Sequence, residues 1–238
     1  MRAALCLVLV ACVGSQPAFA GEPKGNAAAQ LSSILPNTAI DGFGPSPVPG
    51  LYEVIAGDQI FYFSPNGHLV FGEIWSKDGR SLTAERRDQL TAEKLDRLPL
   101  DKALTIGHGP RQVIEFTDPD CPFCRKVDAI LEGRTDLTRH IFFYPLEGLH
   151  PKAAAKSRFI LCSKDKEKAL REVYAGVWDN KALPPVANDC QETILDEHIR
   201  LGGSLGVRGT PTIWIDRTRI KGADLNAIAA LLNKPSTK

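Results

Sequence analysis

The spacing of hydrophobic and polar positions changes character several times along the chain. An almost wholly apolar run, Ala3–Val13, comes first. Gly21 to about Val48 is rich in Ala, Gly, Pro and Ser, with one short helical pattern around Ala27–Leu35. Three strand-like runs follow, Leu51–Ile55, Gln59–Ser64 and His68–Ile74, parted by the turn signals Gly57-Asp58 and Ser64-Pro65-Asn66-Gly67. They predict a small antiparallel meander. A piece of about 60 residues has little core of its own, so it needs a partner surface.

Glu85–Leu98 is dense in charge, with Leu90, Leu95 and Leu98 as its apolar points, and Pro99 closes it. It reads as a solvated helix connecting two domains. From about Leu104 the pattern becomes α/β. Gln112–Phe116 and His140–Tyr144 read as buried strands, and Pro122–Leu131 as the helix crossing between them, a parallel βαβ unit. Pro151–Cys162, Asp165–Val177 and Glu192–Gly206 read as helices. Thr212–Ile215 and Thr218–Lys221, with only Asp216-Arg217 between them, predict a hairpin. Asp224–Leu232 predicts a closing amphipathic helix with Asp224 as its N-cap.

Charge adds little. Lys+Arg and Asp+Glu balance at 29 and 28 over 238 residues, and no basic stripe suggests nucleic acid. The first twenty residues carry more information. Arg2, the apolar run and Ala18-Phe19-Ala20 form the pattern of a secretory signal peptide over residues 1–20, cut after Ala20. The run is too short to span a bilayer, which takes about 20 residues, and no other stretch reads as a span. Leu9-Val10-Ala11-Cys12 resembles a lipoprotein signal, but only eleven residues precede that cysteine.

Six cysteines are present: Cys6, Cys12, Cys121, Cys124, Cys162 and Cys190. Cleavage after Ala20 leaves four, in a chain bound for an oxidising compartment. Cys121-Pro122-Phe123-Cys124 lies between a strand and a helix. Pro122 suits the first helical position, which puts Cys121 at the N-cap. Free backbone N–H groups there carry partial positive charge and stabilise a thiolate, the attacking species in disulfide exchange. Cys124 is close enough to close a disulfide with Cys121. Two other readings stand beside this one. A zinc half-site would need a second close Cys or His pair, which the sequence lacks. A purely structural bridge across four residues would constrain the chain weakly.

Cys162 and Cys190 lie 28 positions apart. A bond between them would constrain the unfolded chain by about 3.5 kcal/mol on the entropy model, and they read as a structural pair; a second redox pair is the alternative. The five histidines, His68, His108, His140, His150 and His198, are scattered and read as surface or strand residues. Asp118 and Asp120 read as exposed loop carboxylates beside the cysteine pair. By itself Pro211 reads as an ordinary trans loop proline.

With these parts in order, the chain resembles the bacterial periplasmic disulfide isomerases of the DsbC/DsbG group. The resemblance rests on Pro49-Gly50-Leu51-Tyr52-Glu53-Val54 and the meander after it, on Phe116-Thr117-Asp118-Pro119-Asp120-Cys121-Pro122-Phe123-Cys124, on Ile160-Leu161-Cys162, on Val177 to Cys190, and on Leu205-Gly206-Val207-Arg208-Gly209-Thr210-Pro211-Thr212. It implies a thioredoxin-like catalytic domain with a helical insertion at 106–238, preceded by a small α+β dimerisation domain at 21–83 and a linker helix at 84–105. It implies that Cys121 is the nucleophile and Cys124 the resolving cysteine. It further implies that Pro211 is cis, with Thr210 before it, offering backbone groups to a bound peptide. Cys162–Cys190 would be the family's structural bridge. The implied partners are misoxidised exported proteins, a second copy of the chain bound through the N-terminal domain, and a membrane thiol reductase of the DsbD type. No metal or other cofactor is implied, and the compartment is the periplasm. Two departures stand out. Pro122-Phe123 is closer to the Pro-Tyr of the DsbG branch than to the Gly-Tyr of DsbC, and the segment through Val48 matches poorly. The expected function is therefore isomerisation or reduction of incorrect disulfides, with a DsbG-like reductase and chaperone, or a dithiol oxidase, as the alternatives.

Overall fold

The computed structural model describes residues 24–186 and 193–235. The expected signal peptide and Cys190 lie outside the described residues. Helix α1 (Lys24–Ile34) leads into a sheet of four strands, β1 (Gly42–Pro45), β2 (Tyr52–Ala56), β3 (Gln59–Ser64) and β4 (His68–Val70), paired in that order and all antiparallel. The meander expected from sequence thus gains a strand. β1 reads Gly-Phe-Gly-Pro and carries no alternation to reveal it. The last strand ends at Val70 rather than at Ile74, because Gly72 takes a φ of 156° and breaks the run. Ala27 and Leu31 of α1 pack on Val54, Phe61 and Phe63, so this sheet has a compact core on one face.

The connecting helix α2 (Leu82–Asp96) starts earlier than its charge pattern indicates. Ser81 caps it, its hydroxyl accepting from the Ala84 N–H at 3.0 Å. Tyr62 of β3 hydrogen-bonds Thr83, and Arg86 meets Glu53 at 3.0 Å, so α2 is tied to the first sheet. It is tied to the second body as well. Lys94 Nζ donates to the carbonyls of Gly57 (2.9 Å) and Ser204 (2.8 Å), and Arg208 grips Asp58 through both carboxylate oxygens.

The second sheet runs β5 (Leu104–Ile106), β7 (Leu137–Phe143), β6 (Arg111–Thr117), β8 (Thr212–Ile215), β9 (Thr218–Lys221) across its width. It begins at Leu104, two residues ahead of the expected domain start. β6 and β7 are parallel and joined by α3 (Pro122–Leu131); the other pairings are antiparallel. Helices α4 (Ala153–Cys162), α5 (Lys166–Tyr174) and α6 (Thr193–Ser204) form the insertion. Their apolar residues, Ile160, Leu170, Val173 and Leu195 among them, bury against Ile141 and Phe143. Elsewhere on the same face α3 and α7 (Leu225–Leu232) bury Val127, Leu131, Ile228 and Leu232 against Val113, Ile213 and Ile215. Asp224 caps α7 as its sequence indicates, accepting from the Ala227 N–H at 2.9 Å. His198 departs from its reading as a surface or strand residue. It is fully buried on α6, where Nδ1 accepts from the Phe143 N–H (3.0 Å) and Nε2 donates to the Lys102 carbonyl (2.9 Å).

Candidate active site

Strand β6 ends at Thr117, and a four-residue loop delivers the chain to α3. Cys121 sits at the N-cap in an extended conformation (φ −72°, ψ 119°), and Pro122 occupies the first turn. Cys124, Val127, Asp128 and Leu131 form the buried face of α3, the i, i+3, i+4, i+7 spacing that a helix buries on one side. Both cysteines are free thiols, and Cys124 is the deeper, at 1% exposure.

The two sulfurs are made unequal by their surroundings. Cys121 is lowered to about 6. The Cys124 thiol donates to its thiolate, and the backbone N–H groups of Cys124 and Phe123 add to this against the cost of burial. As a thiol, Cys121 donates instead to the Thr210 carbonyl at 3.6 Å. Cys124 is pushed far above the ordinary thiol range, chiefly by burial and then by its bond to Cys121. The Asp118 N–H donates to its sulfur at 3.4 Å, and the neighbouring Thr117 hydroxyl favours its anion. Near neutral pH the pair is therefore one thiolate and one thiol.

This inequality has a thermodynamic consequence. Cys121 has a folded pKa below its unfolded value of about 8.5, so the unfolded chain binds more protons between pH 6 and 8. Stability of the reduced protein relative to the disulfide form is expected to rise across that window and to lose the gain as pH falls through 6. Cys124 is raised instead, so it withdraws stability only above the ordinary thiol pKa. Urea midpoints of the two forms at pH 5, 6, 7 and 8 check this; a constant difference would contradict it.

Across from Cys121 lies the loop before β8. The Thr210–Pro211 bond is cis. The Thr212 hydroxyl donates to the Gly209 carbonyl (2.8 Å) and the Gly222 N–H to the Pro211 carbonyl (2.8 Å), fixing the loop to the hairpin. Thr210 thus presents its carbonyl to the Cys121 sulfur.

Several residues around the pair are not evident from sequence. Asp118, which reads as an exposed loop carboxylate, is completely buried. Its oxygens accept from the N–H groups of Asp120 and Leu146, each at 2.8 Å, and from His150 Nδ1 at 2.9 Å. The carboxylate therefore ties the cysteine loop to the segment after β7. Asp120 and Asp179 share the cations Arg125 and Lys156, with Lys156 only 2% exposed. The Asp179 carboxyl is held well below the usual range, first by Arg125 and then by Lys156. Those four residues come from the cysteine loop, α3, α4 and the segment after α5. Sequence offers a charged residue at each position but nothing to pair them.

Cys162, at the end of α4, is disulfide-bonded. Among the described residues, no three His, Cys, Asp or Glu side chains gather as a metal site requires, and no helix is long and apolar enough to cross a membrane.

Comparison with known proteins accords with this geometry. Residues 18–84 match the disulfide bond isomerase protein N-terminal domain, and residues 98–233 match the thioredoxin-like domain. A probable thiol:disulfide interchange protein DsbC of Bordetella avium is 34% identical over 182 residues, covering 74% of this chain and 63% of the relative. The chain thus spans somewhat under two thirds of that protein's length. The thiol:disulfide interchange protein DsbC of Salmonella typhimurium is 30% identical over 174 residues, covering 71% and 69%. Among solved structures, a linker-deletion mutant of Proteus mirabilis ScsC superposes with a TM-score of 0.52 at 23% identity, over 63% of this chain and 83% of that one; it speaks to fold alone. A disulfide-isomerase N-terminal domain joined to a thioredoxin-like domain that carries Cys121 and Cys124 places this chain in the DsbC family of thiol:disulfide interchange proteins.

Proposed function

We propose that the chain is a periplasmic thiol–disulfide oxidoreductase that isomerises or reduces incorrect disulfides in exported proteins, with Cys121 as nucleophile and Cys124 as resolving cysteine. The observation that carries this reading is the asymmetry of the pair. A sulfur held as thiolate faces the Thr210 carbonyl on the cis-proline loop, and a buried thiol waits behind it. The Cys121 thiolate attacks one sulfur of a client disulfide. A mixed disulfide forms, and the other client sulfur leaves as thiolate. A client thiol then attacks the mixed bond and leaves with a rearranged disulfide, or Cys124 attacks it and the client leaves reduced. Every step is thiolate exchange and calls for no cofactor. After the second outcome a membrane reductase of the DsbD type would return the pair to dithiol.

The division of labour proposed with it is a signal peptide at 1–20, a dimerisation domain at 21–83, a linker helix at 84–105 and the catalytic domain at 106–238. We assign Cys162 and Cys190 to a structural bridge. A second copy of the chain is the partner proposed for the first sheet. Its edge strand β4 carries Val70 at 44% exposure, and Phe71 and Trp75 just beyond are 67% and 63% exposed. Unpaired strand edges flanked by exposed aromatics favour pairing with another chain. Phe123, at 55% exposure between the two cysteines, offers an apolar surface to an unfolded client.

The test is reactivation of scrambled ribonuclease by the mature protein in a glutathione buffer, beside Cys121→Ser. Recovery with wild type and none with the variant supports the reading. Equal recovery with both would indicate a chaperone, and rapid oxidation of reduced ribonuclease without isomerisation would indicate a dithiol oxidase.

A further inference from the structure

Cys124 must become a thiolate to resolve a mixed disulfide, yet it lies in one of the least hydrated places in the molecule. When Cys121 is engaged with a client its negative charge is gone, and so is the partner to which Cys124 donated. Two groups then remain to favour the Cys124 anion, the Asp118 N–H bonded to its sulfur at 3.4 Å and the neighbouring Thr117 hydroxyl. The hydroxyl is itself backed. Thr117 Oγ1 lies 2.7 Å from the Tyr174 hydroxyl, and Tyr174 comes from α5 of the insertion, 57 positions away.

We propose that Thr117 and Tyr174 are positioning residues for the resolving step, their coupled hydroxyls steadying the Cys124 sulfur as it turns anionic and so setting how often a mixed disulfide is resolved by Cys124 rather than by a client thiol. This deepens the exchange reading and rests on it. Tyr174 donates to Thr117, which leaves the Thr117 proton free to point at the sulfur. Burial holds the Tyr174 phenol well above its ordinary pKa, so it remains a donor throughout. The bond formed is Cys124–Cys121 and the bond broken is Cys121 to the client sulfur. The electron pair departs with that sulfur, and the client leaves as a thiol carrying the proton Cys124 gave up. Hydrogen bonds to charged groups are strong relative to neutral ones, so the hydroxyls act on this step and hardly on the first attack. They thereby couple the insertion to the choice between reduction and isomerisation.

The experiment follows single turnover of the full-length mature protein with glutathione disulfide, quenched in acid and read by mass spectrometry. Formation of the Cys121 mixed disulfide and its decay to the Cys121–Cys124 disulfide are measured separately. Thr117→Val is expected to slow the decay about tenfold or more while leaving formation within about twofold. Thr117→Ser should restore the decay, and Tyr174→Phe should slow it several-fold. The double variant Thr117→Val/Tyr174→Phe removes both hydroxyls and leaves no unpaired partner, which preserves the fold where a single change strains it. Unchanged decay in the double variant would overturn the proposal, as would formation and decay slowed alike. Failure of the wild type to form any mixed disulfide at Cys121 would instead overturn the exchange reading beneath it.

Discussion

Replacing Arg139 with alanine is expected to cost about 3–5 kcal/mol of stability, a large part of what a domain possesses. Arg139 sits on β7 at 5% exposure. Its guanidinium donates to both oxygens of Glu115, at 2.7 and 3.1 Å, and to Asp128 at 2.7 Å. Burial alone would depress its pKa, but the two carboxylates more than reverse this and hold it above the ordinary arginine range. Alanine would leave two carboxylates inside the protein without a counter-charge. One of them, Asp128, lies on α3 four residues after Cys124, so the loss would reach the helix that presents the cysteines. Arg139→Lys keeps the charge but not the fork, and should fall between. Replacing all three members by apolar residues of similar volume should recover most of the loss, because their own desolvation cost disappears with them. Urea unfolding of the three variants measures this; an alanine variant within about 1 kcal/mol of wild type would show the triad to be dispensable.

Cys121→Ser should act in the opposite manner, leaving the fold intact and lowering exchange by about a thousandfold or more. A serine hydroxyl does not ionise near neutral pH, even beside the Cys124 thiol and the N–H groups that together draw the Cys121 thiol down to about 6. Cys124 cannot stand in, since burial holds it as a thiol at 1% exposure. The variant in the scrambled ribonuclease assay should match a blank reaction, with an unchanged thermal midpoint. Exchange retained within tenfold would mean that another sulfur carries the chemistry.

The parts that sequence reveals best are those fixed by local signals. Pro122 at the first turn, the two-residue turn at Asp216-Arg217 and the N-cap Asp224 each act within a few positions, and α3, the β8–β9 hairpin and α7 lie where those signals point. Both residues of that turn take positive φ, 45° and 71°, as a tight hairpin demands. β5 and β1 escape notice because three or four residues are too few to establish a period. The cysteine pair is legible because spacing, strand and helix coincide. Its electrostatic setting is not. Asp118 faces Leu146 and His150, Thr117 faces Tyr174, and Asp120 faces Lys156, all pairs brought together by the chain reversal at β7 and the insertion. Nothing in a single sequence links residues so far apart, and a buried carboxylate looks the same on paper as a solvated one.

The most direct test of Cys121 as the attacking sulfur is to trap it. Cys124→Ser removes the resolving thiol, so a client captured by Cys121 can leave only through a client thiol. Incubated with scrambled ribonuclease and then alkylated, this variant should accumulate a covalent complex whose peptide map joins Cys121 to a ribonuclease cysteine, and adding Cys121→Ser should abolish it. A complex joined through any other cysteine, or none with either variant, would contradict it.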